Sequence, residues 1–270
     1  MAISPSARIH PTAVISAEAE IGDDVDIGAY TVIEGQVRIG AGCVIRPQVF
    51  LCGPLTMGRQ NQVYSGAVIG ERPQHLRYND EPTGVEIGNG NVIREHVTIH
   101  RAAVANGVTR LGDGNFLMAH CHVAHDCEIG NRCILANGAL VAGHCVLQDY
   151  VYLSGNCAVH QFSRLGRLAF LGGCSGTSKD IPPFIMQQDS DCVSGINVVG
   201  MRRVGMSSEQ INAVRRGFRI LFREGLLLSS AIQRLESELG DVDVIQEMIA
   251  FLRECRRGIN PMRQRYGDAA

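Results

Sequence analysis

The feature that most constrains this sequence is an aliphatic residue that recurs at every sixth position. One run spans residues 111–171, and earlier runs span residues 9–69 and 87–99. All 25 positions in these runs are Ile, Leu, Val or Met. The repeat matches neither the period of about 3.6 residues of an α-helix nor the period of about 2 of a hairpin sheet. It predicts short strands separated by sharp turns.

Three hexads per coil would form a triangular prism, in which each residue lies above the one about 18 positions earlier, at roughly the 4.8 Å spacing of neighbouring strands. The repeats predict about eight coils. We expect an all-β parallel β-helix over residues 1–191, with loops ejected at about 71–86 and 101–110, where Pro, Asn and Gly interrupt the repeat. His75, Arg77 and Tyr78 in the first loop are candidate binding residues, because loops on a rigid scaffold often carry function. A solvated surface loop is the alternative.

After Gly172 the hexads give way to a helical period. Residues 207–210, Ser-Ser-Glu-Gln, form a possible capping box ahead of Ile211, Val214 and Phe218. Residues 229–239 and 242–255 predict two further helices. A small C-terminal α-helical domain is therefore expected at about residues 192–270.

The composition describes an ordinary globular chain. Its 270 residues are 45% hydrophobic and carry a formal charge of −2, which does not favour a nucleic-acid binder. No stretch of about 18 apolar residues occurs, and the first residues lack the basic and apolar segments of a signal peptide. We therefore expect a cytoplasmic protein with no membrane span.

Ten cysteines raise the possibility of disulfides or a metal site. Six of them share one phase of the hexad, four residues after the aliphatic position: Cys43, Cys121, Cys127, Cys133, Cys145 and Cys157. Other hexads place alanine, serine or threonine there, so cysteine at this phase is expected to act as a small buried apolar residue. The chain has no C-x-x-C pair that would favour zinc.

Five histidines lie within one part of the repeat: His120, His122, His125, His144 and His160. Stacking by about 18 residues aligns His125 with Gly143 and Gln161, and Asp126 with His144. Histidine is the side chain best suited to accept a proton near neutral pH, and an adjacent carboxylate can fix its tautomer. Glycine leaves a backbone N–H open to a developing oxyanion. This strip predicts an active site with His125 as general base.

Six motifs surround and extend the strip: V-A-H-D-C at 123–127, G-N-R-C-I-L-A-N at 130–137, A-G-H at 142–144, A-V-H-Q-F at 158–162, G-G-C-S-G at 172–176 and E-H-V-T-I-H-R at 95–101. They resemble the hexapeptide-repeat acyltransferases, and in particular the acyl-carrier-protein-dependent UDP-N-acetylglucosamine O-acyltransferases that begin lipid A synthesis. The likeness covers nearly the whole chain, including the helical tail. It implies that the β-helix is left-handed, because the periodicity alone does not define the hand.

The resemblance also implies roles for individual residues. His125 would be the general base, Asp126 would orient it, and the backbone N–H of Gly143 would stabilise the oxyanion. Gly173 matches a position where a bulky residue shortens the acyl chain that some members accept. The positions expected to contact substrate are His122, His144, His160, Gln161, Gly173, His75, Arg77, Asn197 and Arg203.

The reaction and partners follow from the same resemblance. A 3-hydroxyacyl chain would pass from acyl carrier protein to the 3-hydroxyl of UDP-N-acetylglucosamine, in a homotrimer with active sites between subunits and with no metal or cofactor. His75 and Arg77 stand where the family usually has an acidic residue and a lysine. Val199 and Val204 replace an acidic position and one of two paired basic positions. Because of these departures, a related enzyme for a 3-amino sugar is an alternative.

Residues 201–223 carry six arginines and one glutamate in a chain that is acidic overall. The arginines are Arg202, Arg203, Arg215, Arg216, Arg219 and Arg223. Such a basic patch would suit an acidic partner such as acyl carrier protein, and a solvated helix face is the alternative.

Three rival functions share this type of fold. His120 and His125 have the H-x-x-x-x-H spacing of zinc-binding β-helical carbonic anhydrases, but residues 84–86 lack the third histidine that such a site needs. The N-acyltransferase of the same pathway carries a globular domain ahead of its β-helix, whereas the hexads here begin at Ile9. A non-enzymatic trimeric scaffold would show no acyl transfer.

Overall fold

A computed structural model describes residues 2–262, in which three parallel sheets form the faces of a triangular prism. Successive strands belong to the three faces in turn, and each strand pairs with strands one coil away, as Ala2 pairs with Glu20. The described residues form nine coils, where the periodicity predicted about eight. The difference arises because strands also form one hexad beyond each end of the repeat, at Ile3 and Thr177.

The three faces are named here by their strands. Face A contains Ala2–Ile3, Glu20–Ile21, Val37–Ile39, Leu55–Met57, Gly84–Ile87, Val108–Leu111, Glu128–Ile129, Val146–Leu147 and Arg164–Leu165. Face B contains Arg8–Ile9, Asp26–Ile27, Val44–Ile45, Gln62–Val63, Val92–Ile93, Phe116–Leu117, Ile134–Leu135, Tyr152–Leu153, Phe170–Leu171, Ile185–Asp189 and Cys192–Ile196. Face C contains Val14–Ile15, Val32–Glu34, Phe50–Cys52, Val68–Glu71, Thr98–His100, His122–Val123, Leu140–Val141, Ala158–Val159 and Gly176–Thr177.

The repeated aliphatic residues fill the prism, since the second residue of each two-residue strand points inwards. Ile27, Leu51 and Leu135 are at most 1% exposed. The six cysteines of the hexad phase are buried and unpaired, which confirms their predicted packing role. Burial raises the pKa of Cys133 to about 12, so this thiol stays protonated in the core.

Two loops leave the prism, at residues 72–83 and 101–107. Both are shorter than predicted, because the face A strands Gly84–Ile87 and Val108–Leu111 extend the sheet back into the interruptions. The loops contact each other through backbone hydrogen bonds, from Gly84 N to Gly107 O at 3.1 Å and from Asn106 N to Pro82 O at 2.8 Å. They therefore support one another beside the prism.

The chain after the last coil adds an antiparallel hairpin to face B, formed by Ile185–Asp189 and Cys192–Ile196. Four helices follow: α1 Val198–Arg203, α2 Ser208–Arg223, α3 Leu228–Leu239 and α4 Asp243–Arg253. Helix α2 begins with the predicted capping box, in which Ser207 and Gln210 bond each other's backbone N–H. No helix of residues 2–262 is long and apolar enough to cross a membrane.

The boundary of the helical domain, expected at residue 192, stays a proposal. The structure shows that residues 192–196 are still strand and that the helices begin at Val198. Arg164 and Arg167 of the last coil form ion pairs with Glu254 at 2.9 Å and Glu247 at 2.8 Å, so α4 and the residue that follows it are anchored to the prism. The last part of the expected domain, residues 263–270, lies outside the described residues.

Candidate active site

The corner between faces C and A brings the predicted catalytic strip together. Asp126, His144 and Phe162 occupy equivalent positions in successive coils, and all three have positive φ, at 58°, 59° and 65°. Their side chains therefore project from one edge of the prism in a column. The ring of His144 stacks on that of Phe162 with centroids 4.6 Å apart. Residues 18 positions apart therefore lie directly above one another at this corner, as the repeat predicted.

His125 and Asp126 form a hydrogen-bonded pair. Nδ1 of His125 lies 2.7 Å from Oδ2 of Asp126, and the two side chains are only 10% and 9% exposed. Asp126 also accepts hydrogen bonds from the backbone N–H groups of Ala103 at 3.0 Å and Val104 at 3.2 Å. Burial raises the pKa of Asp126, but the bonds from His125, Ala103 and Val104 outweigh it, so the pKa lies below its ordinary value. The carboxylate is ionised at neutral pH, and Nδ1–H of His125 donates to it, which leaves the lone pair on Nε2.

Two further histidines flank this pair. Nε2 of His144 lies 3.7 Å from Oδ2 of Asp126, and burial lowers the pKa of His144. Nδ1 of His122 lies 2.7 Å from Oγ1 of Thr98. Burial, together with the nearby His100 and His125, lowers the pKa of His122 to about 4. Both rings are therefore mainly neutral at pH 7 and suited to hydrogen bonding.

Gly143, one coil after His125, lies against the ring of that histidine. A Cβ atom at position 143 would lie 2.5 Å from Cε1 of His125 and 2.7 Å from its Nε2. The backbone N–H of Gly143 has no hydrogen-bond partner within residues 2–262. Position 143 thus combines room for the imidazole with an unused donor beside it.

A cavity of about 920 Å³ runs along face C to this corner. Its polar wall contains His122, His125, Gly143, His160 and Gln161. An apolar strip of Leu140, Val141, Ala142, Ala158 and Val159 runs along the cavity, and polar residues that include Thr177, Ser178, Ser190 and Asp191 also line it. An apolar floor with a few convergent polar groups is typical of a small-molecule site, and this one suits a ligand with a long apolar part and a hydroxyl near His125.

Of the other predicted substrate contacts, only His75 reaches the catalytic pair. His75 reaches from the first loop to the ring of His125, with centroids 5.1 Å apart, and the side chain of Arg77 in the same loop is exposed. Gly173 lies exposed at the corner between faces B and C. Asn197 and Arg203 line a separate cavity of about 480 Å³ beside face B. A single chain therefore does not bring all the predicted residues into one pocket.

Asn197 also has a structural role. Its Oδ1 accepts a hydrogen bond from Gly200 N at 2.8 Å and its Nδ2 donates to Leu168 O at 2.9 Å. These bonds cap helix α1 and fix it to the last coil.

Several contributors to the site escaped the sequence reasoning, namely Thr98, Phe162 and the backbone of Ala103 and Val104. The stacking rule that aligned Asp126 with His144 would also have found Phe162 one coil further. The loop amides leave no signal in the sequence, because any residue except proline carries a backbone N–H.

The zinc hypothesis finds no support within a single chain, because its two histidines lie at different corners of the prism. His120, one half of its H-x-x-x-x-H pair, lies at the corner between faces B and C and stacks on His96 with centroids 5.0 Å apart. Ligand atoms of His125, Asp126 and His144 do lie within 4.8 Å of one another. The oxygens of Asp126 also accept hydrogen bonds from His125, Ala103 and Val104.

Comparisons with known proteins agree with the geometry. Residues 19–53 and 109–143 match the family described as bacterial transferase hexapeptide (six repeats), and residues 180–260 match UDP N-acetylglucosamine O-acyltransferase, domain 2. Acyl-[acyl-carrier-protein]–UDP-N-acetylglucosamine O-acyltransferases of Halorhodospira halophila and Thermodesulfovibrio yellowstonii are each 44% identical to this chain over 254 residues, which is 93% of this chain and 98% of each relative. The chain belongs to this O-acyltransferase family.

A solved structure of the UDP-N-acetylglucosamine acyltransferase from Campylobacter jejuni superposes on this chain with a TM-score of 0.89 at 37% identity. The match covers 95% of this chain and 100% of that one. Agreement over nearly the whole of both chains shows that they share one fold, a parallel β-helix followed by a helical tail.

Proposed function

We propose that this protein transfers a 3-hydroxyacyl chain from acyl carrier protein to the 3-hydroxyl of UDP-N-acetylglucosamine, the first step of lipid A synthesis, and that it does so in the cytoplasm. The observation that carries the proposal is the His125–Asp126 pair, which lies beside the unused N–H of Gly143 on the wall of a large, mainly apolar cavity. The names of its relatives supply the two substrates.

In this mechanism Nε2 of His125 takes the proton from the sugar 3-hydroxyl as its oxygen attacks the thioester carbonyl. Asp126 holds the ring through Nδ1 and stabilises the imidazolium that forms. The carbonyl oxygen becomes an oxyanion that accepts a hydrogen bond from Gly143 N–H. The C–S bond then breaks, and the imidazolium returns its proton to the leaving thiolate of the carrier.

The outward side chains of the faces favour assembly into a homotrimer. Face A presents charges in five of its coils, at Glu20, Arg38, Glu86, Arg110 and Glu128. Faces B and C present more apolar side chains: Val44, Val92, Phe116, Ile134 and Phe170 on face B, and Val14, Val32, Phe50 and Val68 on face C. Arg8, Asp26 and Gln62 on face B and Thr98 and His122 on face C are polar exceptions among the outward residues of these strands. Apolar rows of this extent mark interaction surfaces. Packing face C of one copy on face B of the next would cover both and close into a ring.

This packing would also complete the active site. His125 faces the cavity along face C, whereas Asn197 and Arg203 lie beside face B. Face-to-face assembly would bring His125 of one copy close to Asn197 and Arg203 of its neighbour. Mixed oligomers reassembled from inactive His125→Ala and inactive Arg203→Ala chains should therefore regain activity, because some interfaces combine the two intact halves. Activity that stays at the level of the separate variants would exclude a shared site.

Helix α2 offers a surface for the carrier protein. Arg215, Arg216, Arg219 and Arg223 are exposed on one side of α2 and line a cavity of about 520 Å³. Four positive charges around a concavity are complementary to an acidic protein. We therefore assign acyl carrier protein to this surface.

Mass spectrometry of the product tests the proposal. The protein would be incubated with 3-hydroxyacyl carrier proteins of several chain lengths and with either UDP-N-acetylglucosamine or its 3-amino analogue. The expected product is an ester at O3 of UDP-N-acetylglucosamine. Selective amide formation on the amino sugar would instead identify the related N-acylating enzyme, and no acyl product with either acceptor would overturn the proposed function.

A further inference from the structure

The loop formed by residues 101–107, here called the clamp loop, contacts the carboxylate of Asp126 directly. The backbone N–H of Ala103 donates to Oδ2 of Asp126 at 3.0 Å, and that of Val104 lies 3.2 Å from Oδ1. Both oxygens of the carboxylate therefore accept a hydrogen bond from the clamp loop, and Oδ2 also accepts one from His125. Two amide donors on one carboxylate restrict its rotation and favour its ionised form.

A second contact ties the backbone of Asp126 to the strand that follows the clamp loop. The N–H of Asp126 donates to Oγ1 of Thr109 at 2.9 Å, and Thr109 is only 1% exposed. Thr109 belongs to Val108–Leu111 of face A. Side chain and backbone of Asp126 are thus both held by the segment 103–109.

Gly107 allows the loop to come this close. A Cβ atom at position 107 would lie 2.6 Å from Val104 O and 3.1 Å from Oδ1 of Asp126. The N–H of Gly107 also donates to Val104 O at 2.7 Å, which closes the turn that presents the amide donors. Any side chain here would push the turn away from the carboxylate.

We propose that Gly107 and Thr109 are positioning residues for catalysis, which hold Asp126 so that it orients His125 as the general base. The proposal rests on the acyltransferase function given above. It explains why the hexad repeat is interrupted one coil before the catalytic histidine: a regular turn would keep these amides within the prism.

Other titratable groups also face the catalytic pair and contribute to its pH dependence. His75 contacts His125 from the first loop, and His144 lies 3.7 Å from Asp126 in the next coil. His122 and His100 lie on face C nearby, and Glu71 acts on His100. Within residues 2–262 the hydrogen bonds, ion pairs and ring contacts of these side chains do not involve Gly107 or Thr109, so we expect substitutions at the two positions to leave them in place.

The first test is the pH profile of kcat/KM for Gly107→Ala. A loosened carboxylate stabilises the imidazolium form of His125 less, so a lower pH is needed to protonate the ring. The acidic limb should therefore move to lower pH, and the plateau should fall by roughly tenfold or more, the size of one hydrogen bond to a charged group.

Thr109→Val provides a second variant with nearly the same volume, in case the alanine variant folds poorly. It removes only the hydroxyl that accepts the Asp126 N–H, and it should shift the acidic limb in the same direction. Thr109→Ser restores the hydroxyl and should restore the profile. Thr31→Val is the matched control, because Thr31 is also fully buried and its hydroxyl donates to the backbone of Arg46 at 2.9 Å, far from the site in sequence.

In the control Thr31→Val the acidic limb of the pH profile should stay in place, whatever happens to the height of the plateau. The same behaviour in Gly107→Ala and Thr109→Val would overturn the proposal and leave the loop a purely structural role. This test can fail independently of the proposed acyl transfer, because protonation of the His125 ring can be followed by NMR without any substrate. If the wild type transferred no acyl group while the ring titration still shifted in Gly107→Ala, the clamp would hold and the proposed function alone would fail.

Discussion

Gly143 lies so close to His125 that a Cβ atom at position 143 would be 2.5 Å from Cε1 of the imidazole. Two residues 18 positions apart in the sequence thus share one small volume at the corner between faces C and A. The absence of a side chain has two consequences. The ring of His125 can lie against the next coil, and the N–H of Gly143 stays accessible from the cavity.

Gly143→Ala should therefore remove both features at once. The methyl group would displace the imidazole and shield the amide, so kcat should fall by roughly 10²–10³-fold, as when an oxyanion donor is lost. Gly22→Ala is a suitable control, because its Cβ would lie 2.9 Å from Ile39 O in the first coils, far from the site. The control should lose stability but keep its kcat. An active Gly143→Ala enzyme would show that the oxyanion is held by another donor.

His125→Ala should lower turnover by roughly 10²–10⁴-fold, the usual contribution of a general base. His125 lies at the edge of the prism, so we expect the β-helix and the oligomer to persist. Circular dichroism and sedimentation would check that point. Turnover near that of the wild type in a folded variant would move the role of base to His122 or His144.

The aliphatic hexads alone were enough to predict the prism and the column that contains Asp126 and His144, because parallel coils transmit the sequence period directly into spatial register. The number of coils was underestimated, since Ile3 and Thr177 form strands at ends where the repeat is weakest. Helix α1 was missed as well. It is only six residues long and is held by Asn197 through tertiary contacts, which a periodic pattern does not reveal.

The site was predicted only where its residues share a face or a corner. His125 was placed correctly in relation to Gly143, since the stacking rule acts within the prism. The hydrogen bonds from the clamp loop to Asp126 come from outside the repeat, so the hexad period could not predict them. Arg203 lines a separate cavity beside face B. In the proposed assembly its position relative to His125 would depend on a contact between copies, on which the sequence bears only through the apolar residues of faces B and C.

Acid should destabilise the fold through His122. Its pKa is about 4 in the folded chain against an ordinary 6.5, so between these values the unfolded chain binds more protons, and the free energy of unfolding falls as the pH drops. The contribution between pH 7 and pH 5 is about 2 kcal/mol. In denaturant titrations at these two pH values, His122→Gln should lose less stability than the wild type by about that amount, whereas the exposed His10→Gln should not differ from it. Equal acid sensitivity of His122→Gln and wild type would contradict this role.

Gly173→Met should shift the preference towards shorter acyl donors. A Cβ atom at position 173 would meet only Gly155 O at 3.4 Å and Ser154 Cβ at 3.9 Å, so the backbone accepts a side chain, and the long methionine would extend into the space beyond. The measurement is the ratio of kcat/KM for long and short 3-hydroxyacyl carrier proteins. An unchanged ratio would show that chain length is measured elsewhere.

Reversing two charges on helix α2 should weaken binding of the carrier protein. Arg216 and Arg219 are exposed, and Arg219 makes only a loose ion pair with Glu224, at 3.4 Å. Such an exposed pair contributes little to stability, so the fold of Arg216→Glu/Arg219→Glu should be unaffected. We expect KM for the carrier-bound donor to rise roughly tenfold at low salt with kcat unchanged, because these charges guide encounter and do not contact the reacting atoms.

Salt provides an independent check on the same surface. Exposed charges more than about 8 Å apart are screened at physiological ionic strength, so in the wild type KM for the carrier-bound donor should rise with salt while KM for the nucleotide sugar changes much less. The double variant should have lost this dependence. Arg38→Glu/Arg59→Glu changes the net charge by the same amount on the prism, away from α2, and within residues 2–262 removes only an exposed ion pair of Arg38 with Glu20. This control should retain the salt response of the wild type. If both double variants behaved alike, the attraction would come from the net charge of the molecule, and the arginines of α2 would be a solvated helix face.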